Sequence, residues 1–237
     1  MRILVISDLH ANLEALEALP TDFDQLWVLG DLVNYGPDPS AAIRYVREHA
    51  AMVVRGNHDH AAGFGEDPRC SARFRSMAEE TCRYTRSVLN EEELRYLRGL
   101  PLTAAREVAG VHFLLCHAAP SNPLYEYRTA DSELWLADPP GPAGIVLAGH
   151  THLPFQRTHG DKTVVNPGSA GQPKHGRAEA CYAIWEGGKI TLRSVAYDVE
   201  TTIEKLRRLP LSSAVFDDLV FVLRNGKVPP VAADSSG

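Results

Sequence analysis

The chain has 237 residues, 44% of them hydrophobic, enough to bury a real core within the size range of one large α/β domain. Its 24 Lys and Arg against 30 Asp and Glu give a net charge of −6, which argues against a general electrostatic grip on nucleic acid or an anionic membrane. No apolar run approaches the roughly 20 residues that span a bilayer. Cys70, Cys82, Cys116 and Cys181 lack CxxC spacing and no secretory leader precedes Arg2-Ile3-Leu4-Val5-Ile6, so a reducing, cytoplasmic setting is expected.

In chain order, Ile3 to Ile6, Leu26 to Leu29, Met52 to Val54, Val111 to Leu115 and Ile145 to Ala148 are short runs rich in Val, Ile and Leu that read as buried strands. Helix-length segments lie between the first three: Ala11 to Leu19, and Ala41 to His49, which Asp38 can cap with Pro39 at its first position. This alternation predicts a layered α/β fold with ligands beyond the carboxyl ends of the strands.

Residues 61–100 read as a helical excursion. Arg73 to Leu89 is followed by Asn90 and Glu93, spaced as a capping box for Glu91 to Arg98. Arg69, Arg73, Arg75, Arg83, Arg86, Arg95 and Arg98 lie here. The preferred reading is a solvated face, because Glu79, Glu80 and Glu91 to Glu93 offset the charge; contact with an anionic substrate is the alternative. Further strands are expected at Thr163 to Val165, Cys181 to Trp185 and Ile190 to Val195, then helices at Glu200 to Arg208 and Ala214 to Arg224, closed by Gly226. Residues 1–227 form one expected domain, and 228–237, rich in Pro, Ala and Ser, an expected mobile tail.

Five motifs carry the chemistry: Asp8-Leu9-His10, Gly30-Asp31, Gly56-Asn57-His58-Asp59, Cys116-His117 and Gly149-His150-Thr151-His152. Each follows an apolar run. In an extended segment residues two apart point the same way, so Asp8 with His10, and His150 with His152, can each offer two side chains to one side of a loop. Carboxylate and imidazole together suit Mn, Fe or Zn better than Ca, and the shortage of thiolate argues against a structural zinc knot. Cys116 reads as a small buried side chain. His60, His112, His159 and His175 match no motif, though the Gly171 to Arg177 loop gives His175 a route to the site.

In this order the motifs resemble those of the calcineurin-like metallophosphoesterases, over residues 1 to about 195. Tyr35-Gly36-Pro37-Asp38-Pro39 and Asn166-Pro167-Gly168-Ser169-Ala170-Gly171-Gln172-Pro173 look like the small bacterial and archaeal phosphodiesterase branch. The resemblance implies a four-layer α/β/β/α sandwich of two mixed sheets flanked by helices. It implies two divalent metals, Mn first with Fe, Zn or Ni as alternatives. Asp8, His10 and His152 would hold one, Asn57, His117 and His150 the other, and Asp31 would bridge them. His58 would sit near the leaving oxygen, with Asp59 supporting its loop. The expected activity is hydrolysis of a small phosphodiester or phosphomonoester by metal-activated hydroxide.

The chain departs from the family pattern at Asn34, where the family has an Asp that orients the catalytic His. An amide oxygen can accept the imidazole N–H but lacks the charge that favours imidazolium. Tyr35 replaces the phosphate-clamping Arg of the protein phosphatases, which argues against that activity. The competing class is a non-catalytic scaffold of the same fold for protein binding, disfavoured because His58 and all seven expected ligands are present. A nuclease is disfavoured by the acidic balance. Substrate choice would fall to the 61–100 excursion and the Gly171 to Arg177 loop.

Overall fold

The computed structural model describes residues 1–137, 144–160 and 162–230. From the amino terminus, β1 (Arg2–Ile6), α1 (Leu13–Glu17), β2 (Gln25–Val28), α2 (Pro39–His49) and β3 (Ala50–Val53) make two βα units with the three strands parallel. α1 is shorter than the 11–19 run expected from sequence. Ala11 stands at φ +51°, outside the helical region, and Asn12 starts the helix by accepting from Ala15 N at 3.1 Å. α2 begins at Pro39, but Asp38 gives it no side-chain cap, because that carboxylate pairs with Lys205 Nζ at 2.8 Å.

The helical excursion starts earlier than residue 61, at Asn57 itself. It consists of α3 (Asn57–Phe64), a 3-10 turn at Ala72–Phe74, α4 (Arg75–Val88) and α5 (Glu91–Gly99). The capping box forms: Asn90 Oδ1 accepts from Glu92 N and Glu93 N, and Glu93 Oε2 accepts from Asn90 N. Arg86 donates to Ala62 O, and Arg98 donates to Gly63 O and pairs with Glu91. Those two arginines therefore close the carboxyl end of α3, where cations and donors belong.

Next come β4 (Thr103–Val108) and β5 (Val111–Cys116), then α6 (Leu134–Ala137), β6 (Ile145–Leu147), β7 (Phe155–His159) and β8 (Lys162–Asn166). β5, β6 and β8 are parallel, with β4 and β7 antiparallel at the edges, giving the order β4-β5-β6-β8-β7. β9 (Glu179–Glu186) and β10 (Lys189–Ala196) return to pair antiparallel beside β1, so the first sheet runs β10-β9-β1-β2-β3. α7 (Val199–Leu206) and α8 (Ser213–Asn225) follow, and Gly226 closes α8 at φ +58°.

The two sheets pack face to face through Ile3, Val5, Trp27, Leu29, Phe113, Leu115, Leu147, Val165 and Trp185. Trp27 and Phe113 meet edge to face at 5.1 Å. On the outer face of the first sheet Leu4, Ile6, Leu26 and Val28 pack against Leu16, Ile43, Val46, Ala61 and Leu97 from the helices. Cys116, Val146 and Val164 of the second sheet lie under Trp135 of α6. The architecture is thus the expected α/β/β/α sandwich of two mixed five-stranded sheets, and α6 is the one described helix over the second sheet. Among the described residues no helix is long and apolar enough to cross a membrane. Of the expected tail, 231–237 lie outside the described residues.

Candidate metal centre

The parallel strands of both sheets end at the same place. Asp8 follows β1, Asp31 follows β2, Asn57 follows β3, His117 follows β5, and His150 and His152 follow β6. All seven candidate ligands, His10 included, are buried, at 4% exposure or less. Two sets form among them: Asp8, His10 and His152, and Asp31, His117 and His150, each with its ligating atoms within 4.8 Å of one another.

The pairs two apart converge for a different reason from the one the sequence offered. Asp8 and His10 have φ +54° and +47°, and His150 and His152 +66° and +60°, so both ligands of each pair stand in left-handed backbone and the segments are not extended. Asp31 is left-handed too, at +54°. A non-glycine residue in this region costs about 1–2 kcal/mol. The packed sheets below carry that strain, since each fully buried large apolar side chain contributes on the order of 1.5–3 kcal/mol.

Tautomers follow from the backbone. His10 Nδ1 donates to Val33 O at 3.2 Å, His117 Nδ1 to Leu29 O at 2.8 Å and His152 Nδ1 to Gln172 O at 2.7 Å. Each therefore turns an Nε2 lone pair inward. His10 Nε2 and His152 Nε2 face each other at 3.2 Å, and Asp8 Oδ1, buried without a hydrogen-bond partner, lies 3.3 Å from His152 Nε2. In the other set Asn57 donates its amide to Pro68 O, leaving Oδ1 3.0 Å from His117 Nε2 and 3.1 Å from His150 Nδ1. In the first set the lone pairs of His10, His152 and Asp8 converge with no donor between them and repel one another. In the second, burial opposes charge on His117 but Asp31 carries its pKa up to about 9, and a bound cation is favoured there by the same carboxylate. A cation relieves the repulsion in the one and meets the negative charge in the other, so the donor set fits two divalent metals.

Asp31 lies between the sets, its Oδ2 3.2 Å from His117 Nε2 and 3.8 Å from His10 Nε2. Its Oδ1 accepts from His58 N at 2.9 Å. Asp59 fastens this loop by accepting from Asp31 N, Leu32 N and Gly56 N at 2.8, 2.8 and 3.0 Å. Burial pushes the Asp8 carboxyl up to about 6. Burial also holds His10, His150 and His152 well below the usual histidine range, which keeps them neutral and able to ligate.

His58 stands beside the two sets. The amide of Asn34 meets His58 Nδ1 with its nitrogen at 3.0 Å, an orientation that suits a ring protonated at Nε2 alone. Asn34 Oδ1 is buried and unpartnered, so rotating the amide would present an acceptor to a doubly protonated ring. Burial opposes charge on His58, but Cys70 and Asp31 carry its pKa above the ordinary value.

The motifs left three neighbours unmarked. Cys70 Sγ lies 3.3 Å from His58 Nε2, the half-exposed Tyr127 ring covers His150 at 4.0 Å, and Lys174 extends from the loop that holds His152. None stands in a repeated spacing; the Gly171 to Arg177 loop was the signal for Lys174. His175 turns away from the centre, to Cys181 Sγ at 3.3 Å. His60 and His112 pair with Glu66 and Glu107, and Cys116 packs in the core as expected.

Residues 1–188 match the calcineurin-like phosphoesterase superfamily domain, and the chain belongs to that superfamily. The class is metal-dependent and acts on phosphoester bonds. An uncharacterized protein of Methanocaldococcus jannaschii is 31% identical over 233 residues, covering 88% of this chain and 93% of that protein. The crystal structure of a metallophosphoesterase from Sphaerobacter thermophilus, 31% identical, superposes with a TM-score of 0.77 over 92% of this chain and 98% of that one. A symmetrical bis(5'-nucleosyl)-tetraphosphatase of Vibrio parahaemolyticus is 31% identical over 141 residues, 55% of this chain and 48% of that enzyme, so the match spans about half its length.

Proposed function

We propose that the protein is a dinuclear metal-dependent phosphoesterase that hydrolyses a small phosphodiester or phosphomonoester. The observation that carries this is the convergence of buried carboxylate, imidazole and amide ligand atoms: Asp8, His10 and His152 for one ion, Asn57, His117 and His150 for the other, with Asp31 between them. Bound divalent metals, Mn first and Fe, Zn or Ni as alternatives, would polarise phosphoryl oxygens and acidify water. His58 would give the leaving oxygen a proton from Nε2, the edge that Cys70 Sγ borders at 3.3 Å, while Asn34 holds the far side of its ring and Asp59 keeps Asp31 in place. The partial match to tetraphosphatases supports nucleotides bearing a phosphate chain as substrates to try first. The reading takes 1–227 as one domain, and the thiol state of Cys70, Cys82 and Cys181 supports a cytoplasmic location.

The test is elemental analysis of Mn-loaded protein together with turnover of bis(p-nitrophenyl) phosphate. Two ions per chain and metal-dependent hydrolysis are expected. A single ion that survives replacement of both His117 and His150 would overturn the reading.

A further inference from the structure

Lys174 is a cation electrostatically coupled to the centre that the phosphoesterase reading leaves unused. Its loop is bound to the centre from below: Ser169 Oγ donates to Asp8 O at 2.7 Å, Gly171 N donates to Asp8 O at 3.0 Å, and Gln172 O fixes His152. Two residues on, Lys174 Nζ lies 4.2 Å from the centroid of the Phe74 ring. Phe74 ends the 3-10 turn that follows Cys70, and Cys70 touches His58. The ammonium is close enough to the centre to be coupled electrostatically to Asp8 and Asp31, and to Cys70 beside His58.

Among the described residues Lys174 makes no ion pair and no hydrogen bond. An aromatic face holds an ammonium in position without neutralising it. The charge is directed at the centre, since Asp8, His10, His150 and His152 all feel it. Burial lowers its pKa to about 8, which leaves it mainly protonated at pH 7. A half-buried cation without an ion-pair partner is offset only at longer range by Asp8 and Asp31, and it gains when an anion arrives.

Resting on the phosphoesterase reading, we propose that Lys174 binds substrate phosphoryl oxygens beyond those the metals hold, and so favours dianionic monoesters and phosphate chains over monoanionic diesters. Lysine suits this role as a point charge on a flexible stem, able to follow a phosphate that differs in position between substrates.

The experiment compares wild type, Lys174→Met and Lys174→Arg, all Mn-loaded, at pH 7. Two quantities are read: kcat/KM for p-nitrophenyl phosphate relative to bis(p-nitrophenyl) phosphate, and the calorimetric Kd of inorganic phosphate. A charge-assisted contact of this kind is worth about 10- to 100-fold. Lys174→Met should lower the monoester-to-diester ratio by about that factor and weaken phosphate binding, with metal content unchanged; Lys174→Arg should recover most of both. A ratio and a phosphate Kd both within about 2-fold of wild type would overturn the inference, as would equal loss on the two esters with phosphate binding intact. If wild type hydrolysed neither ester, the phosphoesterase reading would fail, and the phosphate Kd would still decide for or against Lys174.

Discussion

Cys70 Sγ lies 3.3 Å from Nε2 of His58, and Tyr35 Oη lies 3.5 Å from the same sulfur. The thiol thus covers the edge of the imidazole that a leaving group would approach. Burial raises a thiol pKa, yet His58 brings that of Cys70 below its ordinary value, whereas burial pushes Cys82 up and Cys181 up to about 12. Iodoacetamide should therefore label Cys70 first. Mass spectrometry of the labelled protein checks the order, and labelling of Cys70 should abolish turnover because the adduct fills the space at Nε2.

His58→Ala should leave metal content intact and lower kcat by about 10²- to 10⁴-fold, the range for general acid assistance. The loss should be smaller for p-nitrophenyl esters than for alkyl esters, whose leaving groups need a proton more. An equal penalty on both would remove His58 from the leaving-group role.

Asp31 approaches both donor sets, whereas His10 belongs to one. Asp31→Asn should therefore lower occupancy of both ions and reduce kcat more than His10→Ala does. Elemental analysis with turnover checks this, and retention of both ions with near-normal rate would refute the bridging role.

Lys174 should also show itself in stability. Its pKa is about 8 in the fold against an ordinary 10.5, so below pH 8 the penalty of desolvating the charge is present in full. Between pH 8 and 10.5 the unfolded chain binds the extra proton, and native stability rises with pH. Lys174→Met removes that penalty. The variant of chelator-treated protein should melt higher than wild type at pH 7, with the gap closing towards pH 10; denaturation curves at both values measure it.

Much of the fold was legible because buried parallel strands leave continuous apolar runs, and the runs ending at Ile6, Leu29, Val54, Leu115 and Ala148 each announced a strand. β4 was not. Its residues, Thr103 to Val108, are mostly exposed, and the hairpin to β5 turns on Ala109 and Gly110 at φ +51° and +78°, with alanine an unusual occupant of such a turn. The residues that converge as candidate ligands were legible because they lie in short motifs. Cys70, Tyr127 and Lys174 come from three separate loops, and only the tertiary fold brings them to the centre. The left-handed backbone at Asp8 and His150 was likewise hidden, since neither Asp nor His announces it as glycine would.

The orientation of His10, His117 and His152 depends on the carbonyls of Val33, Leu29 and Gln172. A carbonyl survives any change of side chain, so point mutation at those three positions leaves the supporting acceptor in place. His58 is held otherwise, by the side chain of Asn34. If His58 delivers a proton as proposed, one codon at position 34 would retune it while the carbonyls that orient the three histidines persist. On the proposed function, the bracing of three metal-facing histidines would tolerate side-chain change, while the bracing of His58 would not.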